Sequence, residues 1–117
     1  MPKKVLIAED NELNMKLIND LLSMRDVEVF QVWDGEEALA KIEQEDFDLL
    51  LLDLQLPKLS GHEVLKNMKK DIPTIVISAY AQQEEIAKIN EFKYLDYITK
   101  PINVVSFLEK LDFILKQ

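Results

Sequence analysis

Acidic, hydroxyl and amine side chains stand at the ends of four of the five short apolar runs in the sequence. Glu9 and Asp10 follow the first run, Asp53 follows the third, Ser78 ends the fourth, and Lys100 comes after the fifth. If these runs are parallel strands of one sheet, their carboxyl ends meet in a crevice, where such sheets bind ligands. Three carboxylates held together repel and raise one another's pKa unless a cation is present. The pattern therefore predicts a site for a hard divalent ion such as Mg²⁺, which takes carboxylates and keeps several waters.

Phosphoryl transfer is the chemistry that this set of side chains suits best. Carboxylates with a divalent ion, the amine of Lys100 and the hydroxyl of Ser78 match the spread negative charge of a phosphoryl group. An aspartate can itself be the nucleophile and form an acyl phosphate. Asp53 is the candidate nucleophile because it stands alone at the end of the apolar run Leu49 to Leu52.

Each of these residues also has a purely structural interpretation. An aspartate after an apolar strand is most often a turn or helix-cap residue. Glu9 and Asp10 precede Asn11 and could serve only as helix-start residues favoured by the helix dipole. His62 is the single histidine, and it has no partner ligands in the sequence pattern. The occurrence of such residues at four strand ends together favours a functional site over these structural interpretations.

The elements that position these residues alternate between strands and helices. The apolar runs predict strands over 5–8, 27–32, 49–52, 74–78 and 97–99. Helical periodicity predicts helices over 12–24, 36–44, 62–69, 82–92 and 103–115. The third run is taken as a strand because strands covered on both faces are unbroken apolar runs. The first helix is expected to place five side chains on its inner face: Leu13, Leu17, Ile18, Leu21 and Leu22.

Five such strand–helix units predict a single α/β domain over residues 1–117. Its parallel sheet should carry helices on both faces, joined by right-handed crossovers. A chain of 117 residues with 48% hydrophobic side chains has the size and core of one domain. No stretch approaches the roughly 20 apolar residues that span a membrane.

The charge and the cysteine count narrow the functions further. The chain has 14 basic and 22 acidic residues, a formal net charge of −8. This balance argues against direct binding to nucleic acid or to anionic membranes. The absence of cysteine excludes disulfides, thiolate metal sites and cysteine nucleophiles. We therefore expect a cytoplasmic protein.

Several short motifs occur in register along the chain. They are Glu9-Asp10, Asp53 after its apolar run, Pro57 and Gly61 four and eight residues past Asp53, Ser78-Ala79, and Lys100-Pro101. In these motifs the chain resembles the receiver domain of bacterial two-component response regulators over nearly its full length. The resemblance implies a five-stranded parallel sheet in the order 2-1-3-4-5, the flavodoxin-like, CheY-like (βα)5 fold.

Three stretches point to closer relatives. The residues from Glu9 to Asn14, from Gln55 to Pro57 and from Lys100 to Ile102 look most like stand-alone receivers of the DivK type and receivers fused to hybrid histidine kinases. With no output domain expected on the chain, the protein would act by binding other proteins, or it would be one module of a larger chain.

The resemblance implies a role for each residue of the site. Asp53 would accept the phosphoryl group from a phosphohistidine on a histidine kinase or a histidine phosphotransfer protein. Asp10 and Asp53 would ligate Mg²⁺, for which Mn²⁺ could substitute. The backbone carbonyl of Gln55 would be a third ligand, and Glu9 would act through a water. Lys100 would pair with the acyl phosphate.

A conformational switch is also implied by the resemblance. Ser78 would donate a hydrogen bond to the phosphoryl group, and Tyr97 would turn inward when Ser78 moves. The group adds roughly −1.5 to −2 charge. This would change a surface made by the helix over 82–92, the fifth strand and the closing helix. That surface would bind a downstream protein target, and the protein would be a monomer or a weak dimer through it. The Lys100–Pro101 bond would be cis, and Gln55 and Tyr80 would tune the phosphate lifetime.

Three other functions fit parts of the pattern. A phosphatase of the haloacid dehalogenase type also uses an aspartate after an apolar strand, but it needs a second acid where this chain has Gln55. A flavodoxin-like cofactor carrier would need a Ser/Thr/Gly-rich phosphate loop after the first strand. A pseudo-receiver that binds partners without phosphorylation remains the alternative. We expect a signalling domain that catalyses only its own phosphorylation and slow dephosphorylation, not a turnover enzyme.

Overall fold

The computed structural model describes residues 2–79, 92 and 94–116. The strands are β1 (Lys3–Ala8), β2 (Val27–Val32), β3 (Leu49–Asp53), β4 (Thr74–Ser78) and β5 (Asp96–Thr99). The helices in the described part are α1 (Glu12–Leu22), α2 (Gly35–Gln44), α3 (Gly61–Asn67) and the C-terminal helix α4 (Val104–Leu115). The helix expected over 82–92 lies, apart from Phe92, outside the described residues, as does Tyr80.

All strand pairs are parallel, and the order across the sheet is β2-β1-β3-β4-β5. This confirms the expected fold. Ala8 pairs with Val32 on one side and Leu52 on the other, and Ser78 pairs with Thr99. Because the strands end in register, the residues that follow β1, β3 and β5 leave the same edge of the sheet.

The core lies on both faces of the sheet, as the unbroken apolar run in β3 predicts. Every residue of β3 is buried. Leu50 and Leu52 belong to the hydrophobic cluster that includes α2 and α3, while Leu49 and Leu51 belong to the cluster that includes α1 and α4. The alternation of side chains along a strand produces this division. Because β3 is packed on both faces, Asp53 at its end has a fixed position.

Polar caps start four helices directly after the loops at the carboxyl edge. Asn11, Asp34, Ser60 and Asn103 each accept a hydrogen bond from the backbone N–H three residues later. Such caps satisfy backbone donors that a helix leaves free at its first turn. They also fix the loops between strand and helix, on which the site is built.

The prediction that Leu13 faces the core is wrong, since its side chain is 79% exposed. The inner face of α1 is formed instead around Met15, Ile18 and Leu22, which are buried. Residues three and seven positions apart share one side of a helix, and Leu13 in the first turn lies outside that stripe. None of the helices in the described ranges is long and apolar enough to cross a membrane.

Candidate functional site

Three carboxylates meet at the carboxyl ends of β1 and β3. One oxygen atom from each of Glu9, Asp10 and Asp53 lies within 4.8 Å of the others. Glu9 and Asp53 are each 1% exposed, whereas Asp10 is exposed. The pairing of Ala8 with Leu52 explains the arrangement, because it places Glu9 and Asp53, the residues that follow them, side by side at the carboxyl edge of the sheet.

Lys100 brings a positive charge to this cluster from the end of β5. Its Nζ lies 2.6 Å from Oδ2 of Asp53 and 3.1 Å from both oxygens of Glu9. The backbone N–H of Lys100 donates to the carbonyl of Ser78 at 2.8 Å, which anchors the lysine beside β4. Within the described ranges, Lys100 thus pairs with two of the three carboxylates, and Asp10 adds a third negative charge to the cluster.

This imbalance changes the protonation of the site. Burial, followed by the charge of Asp53, raises the pKa of Glu9 to about 7. Burial lowers the pKa of Lys100, but hydrogen bonds and charge from Asp53 and Glu9 outweigh it and raise that pKa above its ordinary 10.5. Oε2 of Glu9 is buried, and its contact of 3.1 Å with Nζ of Lys100 is an ion pair that lacks hydrogen-bond geometry. No other group in the part of the chain that the structure describes donates a hydrogen bond to it. An oxygen-only set with spare negative charge suits a hard divalent cation.

The carboxylate of Asp53 is held at both oxygens. Oδ2 contacts Lys100, and Oδ1 accepts a hydrogen bond of 2.9 Å from the backbone N–H of Gln55. The chain after Asp53 is pinned as well, because Leu54 N donates to Ile77 O at 3.0 Å. The side chain of Asp53 is thus placed by the sheet and oriented by two hydrogen-bond donors.

Gly61 starts α3 directly against this strand end. Its N–H donates to Leu54 O at 3.0 Å. A Cβ atom at this position would lie 2.5 Å from the backbone oxygen of Asp53 and 2.7 Å from Cα of Leu54. Only glycine allows this approach without moving the backbone that carries Asp53. The spacing of Gly61 from Asp53 therefore has a packing reason.

The loop after β3 is anchored on the start of α2. Gly35 N donates to Pro57 O at 3.2 Å, and Lys58 Nζ lies 3.4 Å from Oδ2 of Asp34. Lys58 has a φ of 67°, a left-handed backbone conformation that residues other than glycine rarely adopt. A Cβ on Gly35 would lie 1.8 Å from Leu59 O. These contacts hold the loop close to the helix start.

Ser78 at the end of β4 is fully buried, and its hydroxyl contacts Gln55. Nε2 of Gln55 donates to Ser78 Oγ at 3.1 Å, and Ser78 Oγ donates to Oε1 of Gln55 at 3.2 Å. The same Oε1 accepts a hydrogen bond of 3.3 Å from the N–H of Ala79. The sequence reasoning considered Gln55 for its backbone carbonyl and for the phosphate lifetime, but it missed this side-chain contact. The position two residues past Asp53 was the only signal for it.

The structure brings most of the predicted site residues together. Glu9, Asp10, Asp53 and Lys100 form one cluster, and Ser78 stands beside it, joined to Gln55. Tyr97 is half-buried on β5, in register with Val76, and packs against the cluster that contains Leu50 and Leu52. The Lys100–Pro101 peptide bond is cis, as expected.

Comparisons with known proteins place this arrangement in a family. The family model described as the response regulator receiver domain matches residues 5–112. The polar-differentiation response regulator DivK of Brucella anthropi is 42% identical over 116 residues, covering 95% of this chain and 94% of that protein.

Solved structures agree with the family match. A CheY-like response regulator receiver domain from Methanospirillum hungatei superposes with a TM-score of 0.90 at 30% identity, over 99% of this chain and 95% of that one. The receiver domain of the sensor histidine kinase PA1611 from Pseudomonas aeruginosa shares the fold, with a TM-score of 0.87 at 24% identity over the whole of both chains. That structure contains a magnesium ion coordinated in its active-site cleft. The chain therefore belongs to the family of response regulator receiver domains, the phosphoacceptor signalling domains of two-component systems.

Proposed function

We propose that Asp53 is the residue that accepts the phosphoryl group, from a phosphohistidine on a histidine kinase or a histidine phosphotransfer protein. The contact between its carboxylate and Lys100, at 2.6 Å inside the acidic cluster, is the observation that carries this proposal. An oxygen of Asp53 attacks the phosphorus, the P–N bond breaks, and the imidazole leaves and takes up a proton. The product is an acyl phosphate on Asp53.

The residues around Asp53 fit a bound Mg²⁺. Asp10 and Asp53 would hold it with the backbone carbonyl of Gln55, and Glu9 would act through a water. The raised pKa of Glu9 and its buried Oε2 without a hydrogen bond from the described residues support this assignment. When bound, the ion would neutralise charge that develops on the phosphoryl oxygens. Mn²⁺ would substitute, because it also prefers oxygen ligands.

Lys100 and Ser78 would act on the transferred group. Lys100 stays protonated, since its pKa lies above the ordinary value, and it would exchange a carboxylate partner for a phosphoryl oxygen. Ser78, on the neighbouring strand, would donate its hydroxyl proton to another phosphoryl oxygen. Both contacts grow as negative charge arrives, and such contacts stabilise phosphoryl transfer.

Phosphorylation would be signalled to other proteins by a change in the conformation of the protein surface. Tyr97 would turn inward as Ser78 moves, and the face that includes β5 and α4 would change its partner binding. The protein would bind a downstream target there and be a monomer or a weak dimer through that face. We propose that residues 1–117 act as one receiver domain in the cytoplasm. It would catalyse only its own phosphorylation and slow dephosphorylation.

The pseudo-receiver alternative is not favoured by the family match or by the site. A domain that only bound partners would have no use for a lysine paired with Asp53 and Glu9 and a third acid, Asp10, in the same cluster. Charges held together in this way cost stability, and such a cost is typical of functional sites.

Intact mass spectrometry after incubation with acetyl phosphate tests the proposal. We expect a gain of one phosphoryl group (about 80 Da) that requires both Mg²⁺ and Asp53. Asp53→Asn should remove the gain, whereas the matched exposed control Asp46→Asn should keep it. A gain that survives in folded Asp53→Asn would contradict the assignment. If wild type gains nothing, a phosphorylated histidine kinase as donor distinguishes donor selectivity from a domain that is never phosphorylated.

A further inference from the structure

We propose that the side chain of Gln55 is a latch that holds the hydroxyl of Ser78 until the phosphoryl group arrives. Gln55 would then be a positioning residue that sets how readily the domain enters its phosphorylated conformation. This inference rests on the proposed function of Asp53 as the phosphoacceptor.

The contacts of Gln55 reach both halves of the site. Its backbone N–H donates to Oδ1 of Asp53 at 2.9 Å, so the main chain is tied to the acceptor. Its side-chain amide exchanges hydrogen bonds of 3.1 and 3.2 Å with the hydroxyl of Ser78. One residue therefore links the group that would be phosphorylated to the hydroxyl that would respond.

The hydroxyl of Ser78 has only one proton to donate. Its position, 3.2 Å from Oε1 of Gln55, fits donation of that proton to this oxygen. The same proton is needed for a hydrogen bond to a phosphoryl oxygen, which carries no proton of its own to offer. Ser78 must therefore leave Oε1 of Gln55 before it can serve the phosphoryl group.

The backbone on both sides of this contact is fixed. Lys100 N donates to Ser78 O at 2.8 Å, and Leu54 N donates to Ile77 O at 3.0 Å. Release of the latch is therefore a side-chain event, a change of rotamer at Ser78 or Gln55. It leaves the sheet intact and changes only which oxygen receives the proton.

The latch should bias the domain toward the unphosphorylated conformation. A hydrogen bond between neutral groups contributes a modest net amount, equivalent to about a five-fold change in an equilibrium constant. A ligand that needs the freed hydroxyl must overcome this bias and binds correspondingly more weakly. Removing the latch should strengthen the binding of a phosphoryl mimic by about this factor.

Calorimetric titration with beryllofluoride, a phosphoryl mimic, in the presence of Mg²⁺ tests the latch. Gln55→Met keeps the length and bulk of the side chain but cannot hydrogen bond. We expect it to bind the mimic about five-fold more tightly than wild type. In the Ser78→Ala background the gain should be lost or much reduced, because the hydroxyl is absent and only the bond from the Ala79 N–H to Oε1 of Gln55 is removed. In the conservative Ser78→Thr background, which keeps the hydroxyl, the gain should return.

Other outcomes overturn the latch in distinguishable ways. An equal gain with and without the hydroxyl would show that Gln55 acts on access to the site rather than on Ser78. Unchanged or weaker binding by Gln55→Met, with wild-type thermal stability, would also contradict the latch while leaving the role of Asp53 intact. Wild type that binds no mimic, and gains no phosphoryl group from acetyl phosphate or a kinase, would overturn the proposed function and the latch together.

Discussion

At the amino-terminal edge of the sheet Arg25 pairs with Asp112, and at the carboxyl edge Lys100 pairs with Asp53 and Glu9. The first pair is bidentate, with N–O distances of 2.5 and 3.0 Å, and its side chains are 28% and 41% exposed. In the second, the lysine is 17% exposed and both acids are 1% exposed. The two regions use the same kind of contact in different surroundings.

The pKa values show what the difference means. The hydrogen bond from Arg25 lowers the pKa of Asp112, so that acid gains from its partner. Burial and the charge of Asp53 raise the pKa of Glu9 to about 7, although Lys100 opposes this. Arg25 balances the single charge of Asp112, so this pair can serve as a structural contact. Lys100 cannot balance the charges of three clustered acids, so ionised Glu9 lowers the stability of the folded state. A cation that neutralises this excess negative charge is bound more tightly for that reason, and such strained charge is typical of functional sites.

The largest effect should come from removing the cation of the site. Lys100→Met would leave Asp53 and Glu9 buried beside each other without a counter-charge. We expect the free energy of unfolding to fall by about 2 kcal/mol at pH 7.5, a value reduced from that of fully buried pairs because water reaches Lys100. The loss should shrink near pH 5, where Glu9 takes up a proton. Urea denaturation without Mg²⁺ measures both values, and an equal loss at the two pH values would contradict the account.

A second effect should appear as a pH dependence of stability. The folded pKa of Glu9 is about 7, above its ordinary 4.5, so the folded state binds the extra proton between these values. Without Mg²⁺, stability should therefore fall as the pH rises from 4.5 to 7, by about 1 kcal/mol after allowance for solvent screening. Mg²⁺ should stabilise the protein more at pH 8 than at pH 5. The pKa of Asp112 is lowered, so the stability that this acid contributes to the folded state is lost instead as the pH falls below the ordinary aspartate pKa of 3.8.

The difference between wild type and Glu9→Gln isolates this group from all others that titrate. If the difference in stability does not change between pH 4.5 and pH 7, Glu9 does not have a raised pKa and the proposed difference between the two edges is wrong.

A third test compares the sign of matched acid-to-amide changes. Glu9→Gln should stabilise the metal-free protein at pH 7.5 by about 1 kcal/mol, because it removes a charge that burial disfavours. Asp112→Asn should destabilise it, because Arg25 loses its partner. Thermal unfolding of the two variants in chelator gives both signs. Destabilisation by both changes would mean that the acids of the two edges play the same role.

The smallest effect should follow removal of the exposed cation. Arg25→Met breaks a pair that is open to solvent, and such pairs contribute little. Its effect on unfolding should be clearly smaller than that of Lys100→Met, should weaken further in high salt, and should leave phosphorylation unchanged. A loss equal to that of Lys100→Met would show that burial does not separate the two regions.

The sequence predicts the parts of this site that depend on local pattern. Short apolar runs identify the strands, and the polar residue after each run marks the edge where they meet. The pairing of β1 with β3 then places Glu9 and Asp53 together without further information. The strand order and the roles of the residues came from the motifs in register, which identify the family.

Other features depend on contacts that have no local signal. The bond between Gln55 and Ser78 joins residues at two different strand ends, and apart from the position of Gln55 two residues past Asp53 nothing in either neighbourhood points to it. Leu13 fits an apolar periodicity, yet it lies at the first turn of α1, where no neighbouring element covers it in the described structure. The pKa of Glu9 likewise depends on burial and on Asp53, which only the assembled sheet provides.

We propose that the acyl phosphate forms on the carboxyl group of Asp53. Borohydride reduces an acyl phosphate to the alcohol, so reduction followed by peptide mapping locates the modified carboxyl group. After incubation with phosphodonor and Mg²⁺, we predict homoserine at position 53 and at no other position, and none when Mg²⁺ is chelated. Homoserine at position 10, or a phosphoryl group retained on another residue while Asp53 stays unmodified, would contradict the account.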